Sequence, residues 1–316
     1  MKRLGILCAL LVMVCVGNAF AAGKGDNLIT AKKVSKDPAD VSSAEWGSAK
    51  EAVLINDGAS GGPFEKKTLE VRVKAVYTKG GNISMLLSWP DSTQNVTKEP
   101  WKLSKGKWSK SNEDEDKLAI NWEIKRIKNF ATKGCTVVCH SESKNKEDWK
   151  YHTDTATERG DIWEWKAQTS GSLGYAEDGY VDDDSRKADA GTGKAKKNES
   201  GDKKKPKFVQ NPAKKPTVAG ALMEGETVEL KTAKEGEVVP SWILSKFSGS
   251  MADVKAKAKW ANGRWNLMLQ RKLETSDKEN DVQFDTRKDF NLGIAVFNDS
   301  SRHNSYNSGP LKVKFD

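Results

Sequence analysis

The sequence is poor in cysteine and histidine, and it has no hydrophobic run long enough to cross a membrane. Only four cysteines and three histidines occur among its 316 residues. It also lacks a Gly-x-Ser-x-Gly nucleophile elbow and a Gly-Lys-Ser/Thr phosphate loop. So few histidines exclude most acid–base catalytic arrangements as well. We therefore expect a protein that is not itself a catalyst, although it could be a subunit of an enzyme complex.

The N-terminus has the features of a secretory signal peptide. A basic start at residues 1–3 precedes an apolar run at 4–16, and residues 19–21 have the small-x-small pattern of a signal peptidase site. The apolar run is too short to span a bilayer. We expect cleavage near Ala21, which makes 1–21 a signal peptide and places the mature protein in the periplasm without membrane insertion.

Removal of the signal peptide leaves two cysteines and a basic protein. Cys8 and Cys15 are lost with it, so Cys135 and Cys139 remain. The sequence has 53 Lys and Arg against 44 Asp and Glu, and the mature chain keeps a net charge of +7. Much of the excess lies in residues 186–215, which is typical of a solvated loop and would also suit docking of an acidic protein partner. Export argues against a nucleic-acid partner.

Apolar residues that alternate with polar ones predict β-strands at both ends of the chain. Gly80-Gly81 and Asn262-Gly263 are turn signals that predict two hairpins. The predicted strands cover residues 68–78, 83–89, 254–260, 265–269, 290–297 and 311–315. We therefore predict a mainly β protein, a β-sandwich with long irregular insertions and a few short helices.

The middle of the chain has a different composition. Residues 182–216 are rich in Lys, Asp, Gly, Ser and Pro, and they contain few large apolar residues. This predicts a Lys-rich irregular excursion over the surface. Neither flank alone has enough strands for a sandwich, so we predict one domain over 67–316. Residues 22–66 would form an N-terminal extension that leads into it.

Tryptophan is abundant for such a hydrophilic chain, with eleven residues. Trp163 and Trp165 flank Glu164, so both rings would lie on the same side of an extended segment. Packing in the core explains them most simply. Alternatively, some tryptophans could wall a flat apolar cofactor or form exposed platforms for a sugar.

Residues 134–140, GCTVVCH, carry the chemistry of this sequence. In the Cys-x-x-Cys-His motif of c-type haem, two thiols add to the haem vinyl groups and the adjacent histidine binds the iron. Here three residues separate Cys135 from Cys139, while His140 still follows directly. We predict one covalently attached haem c, with His140 as the proximal iron ligand.

Two other interpretations of the cysteine pair remain open. A Cys135–Cys139 disulfide suits an oxidising compartment, although its small loop would add little stability. A structural zinc site would need a further ligand, and only His152 and His303 remain in the mature chain.

The sequence also resembles a known family from about residue 67 to residue 315. The matching segments are LSWPDST at 87–93, GCTVVCH at 134–140, GDIWEWK at 160–166, GYAEDGY at 174–180, DAGTG at 189–193, VPSWIL at 239–244, GSMADV at 249–254, GRW at 263–265 and RKL at 271–273. On their order and number, the chain resembles the haem-binding domain of the ethylbenzene dehydrogenase gamma subunit and its dimethyl sulfide dehydrogenase-type relatives. The resemblance is greatest to the periplasmic branch with covalent haem.

The resemblance implies a β-sandwich that holds one haem between its sheets and relays electrons. In members with non-covalent haem it implies Met and Lys as iron ligands, with the Lys shortly before the final strand. The present chain departs from that pattern. His140 stands in the first ligand region, and His303 stands in the second, just before 311–315. His303 is therefore our first candidate for the distal iron ligand.

Other residues compete for roles around the iron. His152 follows the motif closely and is our second choice for the distal ligand. Lys272 and Met268 have the strand parity of the polar residues, which weakens them as ligands. Arg271 lies on the same side of the predicted strand as the apolar residues, and we consider it as a partner for a haem propionate.

These observations favour a monohaem c-type cytochrome that transfers electrons through six-coordinate iron to a redox partner protein. The same chemistry would fit a haem subunit of a molybdenum oxidoreductase complex. A third hypothesis is a carbohydrate- or ligand-binding β-sandwich, with a Cys135–Cys139 disulfide and exposed tryptophans.

Overall fold

Strands make up most of the regular structure. The computed structural model describes residues 25–140, 150–300 and 305–316. The strands before and through the cysteine motif are β1 Leu28–Lys33, β2 Ala52–Gly58, β3 Thr68–Tyr77, β4 Asn82–Pro90, β5 Trp101–Ser104, β6 Lys107–Lys110, β7 Lys117–Lys125 and β8 Cys139–His140. The middle strands are β9 Lys150–Tyr151, β10 Arg159–Lys166, β11 Glu177–Val181, β12 Arg186–Ala188, β13 Gly191–Thr192, β14 Lys196–Lys197 and β15 Phe208–Gln210. The last are β16 Leu222–Met223, β17 Thr227–Glu229, β18 Val238–Val239, β19 Trp242–Leu244, β20 Ser248–Gly249, β21 Lys255–Ala261, β22 Arg264–Lys272, β23 Phe290–Phe297, β24 Tyr306–Ser308 and β25 Leu311–Phe315.

In the part of the chain that the structure describes, helices form only short connections. The one α-helix in the described ranges is α1, Phe130–Lys133. The 3₁₀ turns are Ala44–Ser48, Gly134–Val138, Gly171–Leu173 and Ser250–Ala252. Within those ranges, no helix has the length and apolar character needed to cross a membrane. The prediction of a mainly β fold with few short helices is confirmed.

Thirteen strands form one sheet that folds back on itself. Its main order is β12-β11-β10-β7-β23-β24-β2-β3-β4-β22-β21, with β1 and β25 joined beside it. Neighbours along this path are antiparallel, whereas β1 runs parallel to β3 and β25. The early strands β2, β3 and β4 therefore lie between the late strands β24 and β22, so both ends of the chain contribute to one sheet.

The two predicted hairpins are both present. β3 and β4 pair across a turn in which Gly80 has φ +66°, and β21 and β22 pair through Asn262 and Gly263, with φ +53° and +69°. A left-handed backbone at both positions of this second turn matches the Asn-Gly preference of tight hairpins. Arg271 is buried and Lys272 is exposed, as the strand parity predicts. Met268 shares the parity of Lys272 but is buried, because it packs against Trp46 and Val76 on the other face of the strand.

Tryptophans fill the space between the two halves of the folded sheet. Trp165 lies 4.9 Å from Trp265 and 6.2 Å from Trp89, measured between ring centroids. Trp163 and Trp165 are both buried in the main core, as their spacing predicted. None of the tryptophans in the described ranges is exposed. Aromatic packing of this kind contributes strongly to core stability.

The Lys-rich stretch at 182–216 is more ordered than its composition indicates. It contains β12, β13, β14 and β15, which pair with strands outside the stretch. Its remaining backbone is irregular, and most of its lysines are exposed. The composition hides these short strands because their hydrogen-bonding partners lie elsewhere in the chain.

Candidate functional site

The cysteine motif lies in a helical connection after β7. The chain passes through α1 and the 3₁₀ turn Gly134–Val138 into β8. Gly134 has φ +70°, and a Cβ at this position would lie 2.6 Å from the carbonyl oxygen of Gly309. Glycine is therefore required both by the backbone conformation and by the close approach to the C-terminal strands. This contact holds the first cysteine against the sheet.

Cys135 is buried directly over β23. It packs with Ile127, Phe130 and Val138 in a small apolar cluster. A Cβ at Gly293 would lie 2.4 Å from the Cβ of Cys135 and 2.7 Å from its sulfur. Cys135 and the half-buried Cys139 are both thiols in this structure.

Gly293 also shows which face of the sheet the cysteines occupy. Its neighbours Leu292 and Ile294 both point into the main core, so Gly293 faces the other side, because successive strand residues alternate. We call this side of β7, β10, β11 and β23 the outer face. Residues that share it are Ala119, Asn121, Ile162, Gly179, Gly293 and Ala295. Small side chains at most of these positions leave a flat floor beside Cys135.

The thiol pair therefore does not lie between the two halves of the sandwich. The resemblance implied a haem between the sheets, but tryptophans already fill that space. The structure instead places the predicted attachment residues on the outer face.

Tyr151 connects the segment after the motif to the same floor. It pairs with Cys139 between β8 and β9, and its hydroxyl accepts a 2.9 Å hydrogen bond from Nδ2 of Asn121. Burial, together with the nearby cysteine sulfurs, raises the pKa of Tyr151 well above its ordinary value. Burial also raises the pKa of Cys135 to about 12, with Cys139 adding to the shift. Both side chains thus stay neutral at physiological pH.

The structure describes the three histidines to different extents. The His140 backbone continues β8 and pairs with Lys150, whereas its side chain lies outside the described residues. His303 lies outside the described residues altogether. The amide of His152 donates to the carbonyl of Val138, and its ring Nδ1 lies 2.7 Å from the carbonyl oxygen of Thr153. That contact is typical of a histidine that carries its proton on Nδ1.

The residues that flank 301–304 are held at the far end of β23. The Oγ of Ser305 accepts a hydrogen bond from the amide of Asn298, and the carbonyl of Ser300 accepts one from Nζ of Lys117. Gly293 and Phe297 lie on the same strand, about 13 Å apart at the usual rise per residue. The segment that contains His303 thus begins on the strand that Cys135 contacts.

Buried charges occupy the outer face near Phe297. Arg186 pairs with Glu164 at 2.7 Å, and Lys166 pairs with Glu177 at 2.6 Å. Burial opposes ionisation of Glu164, but Arg186 and Lys166 hold its pKa well below the ordinary value. The cluster lines a cavity of about 280 Å³ whose walls carry five basic and three acidic side chains. Asp114 pairs with both Lys98 and Lys117, so four of the five basic side chains already have a carboxylate partner in the protein.

Arg271 lies on the opposite side of the sheet from Cys135. Its Nη1 is 2.6 Å from Asp161, and its guanidinium carbon lies 4.8 Å from the ring centre of Trp163. Asp161 and Trp163 both lie on the inner side of β10. The structure therefore does not bring Arg271 and the cysteines together, and carboxylates of the protein itself already pair with the guanidinium. The predicted propionate role finds no support in these contacts.

Sequence reasoning missed the outer-face charges and the floor. Glu164 and Arg186 are separated in sequence, so their pairing depends on the order of β10, β11 and β12. Gly293 gave no local turn signal. The alternation of Leu118, Ile120 and Trp122 would have predicted β7, on which the floor depends.

Together, the fold and the site define a β-sandwich protein that presents a Cys-x₃-Cys-His segment on the outer face of its sheet. The chain belongs to the ethylbenzene dehydrogenase family, whose family model matches residues 36–309. The resemblance seen in the sequence is thus confirmed at the level of the family.

Solved structures give only distant similarities. A protein from Bacteroides uniformis ATCC 8492, described as a candidate carbohydrate-binding protein, aligns with a TM-score of 0.39 at 8% identity, over 92% of this chain and 99% of the other. The Clostridium perfringens NetB toxin in its membrane-inserted form aligns with a TM-score of 0.11 at 11% identity, over 84% of this chain and 91% of the other. These scores are too low to support an argument about function. No curated protein matched the sequence.

Proposed function

We propose that this chain is a periplasmic monohaem c-type cytochrome that transfers electrons, with haem bound through Cys135 and Cys139 and iron bound by His140. The observation that carries the proposal is the thiol pair on the outer face, followed directly by a histidine, in a member of the ethylbenzene dehydrogenase family. When bound, a haem supplies reversible one-electron oxidation and reduction of its iron.

The residues around Cys135 suit a flat, covalently held ring. Gly293 and the small side chains beside it leave space against the sheet. Ile127 and Phe130 provide an apolar wall. The neutral thiol and phenol add no buried charge next to that wall. These features support covalent attachment at this place on the sheet.

The basic side chains on the outer face would stabilise the propionate groups at the edge of the haem. Arg186, Lys166 and Lys117 line the cavity that Phe297 also borders. Guanidinium and ammonium groups form charge-assisted hydrogen bonds with carboxylates. Because this cavity lies on the same face of the sheet as Cys135, whereas Arg271 lies on the opposite face, we assign the propionate-binding role to the cavity.

Two histidines would complete the iron coordination. His140 follows Cys139 directly, and His303 belongs to a segment that leaves the same strand as the floor. If both histidines bind the iron, no position would remain for a substrate, and the haem would supply electron transfer. Two histidine ligands also favour a lower potential than a methionine would.

The electron partner is an acidic redox protein or the molybdenum-containing subunit of an oxidoreductase complex. Lys203, Lys204, Lys205, Lys207 and Lys215 are exposed on the Lys-rich excursion. Their charge would accelerate encounter with an acidic surface and would be screened by salt.

The carbohydrate-binding hypothesis finds little support in the tryptophans. Seven of the tryptophans in the described ranges are buried, and Trp108, Trp242 and Trp260 are partly buried. Sugar platforms require an exposed ring face. Core packing therefore explains the tryptophan content.

The proposal is tested by producing the full chain in a host that matures c-type cytochromes. We expect periplasmic protein that begins near residue 22, a sharp reduced α-band, and haem that resists acid–acetone extraction. Cys139→Ala should lose the covalent haem, whereas Thr136→Ala, an exposed position within the motif, should keep it. A colourless wild-type protein whose two sulfurs form a disulfide would contradict the proposal.

A further inference from the structure

A second group of charges is buried on the inner side of the sheet, away from the thiol pair. Asp161, Asp178 and Asp281 are at most 1% exposed, and one carboxylate oxygen from each lies within 4.8 Å of the other two. Asp189, only 6% exposed, lies beside Asp281. We call these four residues the aspartate cluster. The fold collects them from β10, β11, the segment after β12 and the segment before β23.

Arg271 compensates only part of this charge. Its Nη1 lies 2.6 Å from Asp161, 3.6 Å from Asp281 and 3.8 Å from Asp178. Four carboxylates against one guanidinium leave three negative charges without compensation. Each uncompensated charge costs several kcal/mol in a buried position. The cluster therefore needs either protons or a further cation.

The carboxylate oxygens show where such a cation would bind. Within the described ranges, one oxygen each of Asp161 and Asp178 and both oxygens of Asp189 and Asp281 have no hydrogen-bond partner. The other oxygens of Asp161 and Asp178 accept hydrogen bonds from the amides of Val282 and Gly179. Buried polar atoms are rarely left unpaired. Asp189 lies against Asp281, so these two carboxylates must either share a proton or face a common cation.

We propose that Asp161, Asp178 and Asp281 bind a Ca²⁺ ion, with Asp189 next to this group. Calcium takes about six to eight oxygen ligands at about 2.3–2.6 Å, so ligands on opposite sides of the ion are about 4.8 Å apart. The separation of the converging oxygens is compatible with that geometry. A carboxylate-only donor set is unsuitable for zinc, which prefers nitrogen and sulfur.

The ion would join parts of the fold that are distant in sequence. Asp161 and Asp178 lie on neighbouring strands, and Asp281 lies in the connection between β22 and β23. Burial, with the neighbouring carboxylates, raises the pKa of Asp189 to about 8. A bound cation would neutralise these carboxylates in place of protons.

The test uses the full mature protein, with or without haem, because the site is independent of the thiol pair. We expect about one bound Ca²⁺ per chain after purification without chelators, measured by elemental mass spectrometry. EGTA should lower the Tm, and the Tm should rise with Ca²⁺ concentration. Tb³⁺ should show luminescence on tryptophan excitation, because Trp163 borders the cluster, and Ca²⁺ should displace it.

Asp281→Asn distinguishes a cation site from a cluster that holds only protons. With a bound cation, the variant loses the dependence of Tm on Ca²⁺ and unfolds at a lower temperature than wild type in Ca²⁺. With protons only, wild type responds to neither Ca²⁺ nor EGTA, and Asp281→Asn, which replaces one neutral side chain by another, unfolds close to the wild-type temperature; this result would overturn the proposal. Asp184→Asn, at an exposed aspartate, is the matched control. If Asp281→Asn does not fold, the response of the wild-type Tm to Ca²⁺ and EGTA tests the proposal by itself.

Discussion

The side chain of Cys135 occupies the space that any side chain at Gly293 would need. This relationship joins a helical connection after β7 to the middle of β23, more than 150 positions later in the chain. It sets the thiol pair on the outer face, with the Trp-filled core behind it. The functional proposal thus depends on a contact between a cysteine and a glycine that no local motif contains.

Replacing Gly293 should displace Cys135. In Gly293→Ala the new Cβ meets the cysteine at 2.4 Å, and Gly293→Val adds more bulk, so we expect destabilisation by about 1–3 kcal/mol and a lower yield of covalent haem. Urea unfolding and the pyridine haemochrome assay measure the two effects. Gly47→Ala, where a Cβ meets nothing within 4 Å, is the control. Full haem incorporation in Gly293→Val would show that Cys135 is not attached at this place.

Replacing His303 should change the iron without releasing the haem. In His303→Ala the thioether bonds remain, but the iron loses its distal ligand, so we expect a partly high-spin spectrum that responds to carbon monoxide. His152→Ala should leave the spectrum unchanged. Optical and electron paramagnetic resonance spectra of both variants decide the assignment. The reverse pattern would transfer the distal role to His152.

Replacing Arg271 should affect stability rather than redox properties. Arg271→Leu leaves Asp161 and its neighbours without their cation, and breaking a buried pair of this kind costs about 3–5 kcal/mol. Lys272→Leu, at the exposed neighbouring position, should change stability by less than about 0.5 kcal/mol. Denaturant unfolding and the midpoint potential are the measurements. A shifted potential at unchanged stability would instead favour the propionate role.

Asp116 should make stability depend on pH. Burial, with Asp91 nearby, raises the pKa of Asp116 to about 7, whereas an unfolded aspartate titrates near about 3.9. Between these values the folded state holds the proton more tightly, so stability decreases as pH rises from about 4 to about 7. Asp116→Asn should remove roughly 2–4 kcal/mol of this variation.

The measurement for Asp116 is urea unfolding as a function of pH, at saturating Ca²⁺ so that the aspartate cluster does not contribute. The Asn side chain can still accept the hydrogen bond that Nε1 of Trp265 donates at 2.9 Å. The pH dependence of stability in Asp184→Asn provides the baseline. Equal pH slopes in wild type and Asp116→Asn would contradict the assignment.

Removing lysines from the excursion should slow electron transfer to an anionic oxidant. In a triple variant with Lys203, Lys204 and Lys205 changed to Gln, we expect oxidation of the reduced protein by ferricyanide to be roughly threefold to tenfold slower at low salt, because attraction is reduced. Stopped-flow rates at several ionic strengths measure this effect. A Gln triple at Lys66, Lys67 and Lys79 is the control. Equal rates in both triples would exclude the excursion as the docking surface.

Local sequence pattern predicted a substantial part of this fold. Both hairpins follow from period-two alternation around glycine turns, and the burial of Arg271 beside the exposed Lys272 follows from strand parity. Alternation succeeds because it depends only on the geometry of a single strand. The four strands within 182–216 were missed because a polar strand is recognisable only from the partner with which it pairs.

For the site, the sequence supplied a hypothesis about its chemistry but not its position. The sequence supplied the adjacency of Cys139 and His140 and the possibility of thioether attachment. It could not show that Cys135 lies over Gly293, or that Glu164 and Arg186 pair beside it. These contacts depend on the order of strands in the sheet.

By itself, the sequence determined the strand periodicity, the turn positions and the spacing of the thiols and histidine, since each is a property of a short segment. Only the tertiary structure decided which face of the sheet carries Cys135 and that Arg271 meets Asp161 in the interior. The physical reason is that local periodicity orients side chains relative to their own strand. The partners that those side chains meet are set by pairing between segments far apart in the chain, where burial and hydrogen bonding select one arrangement.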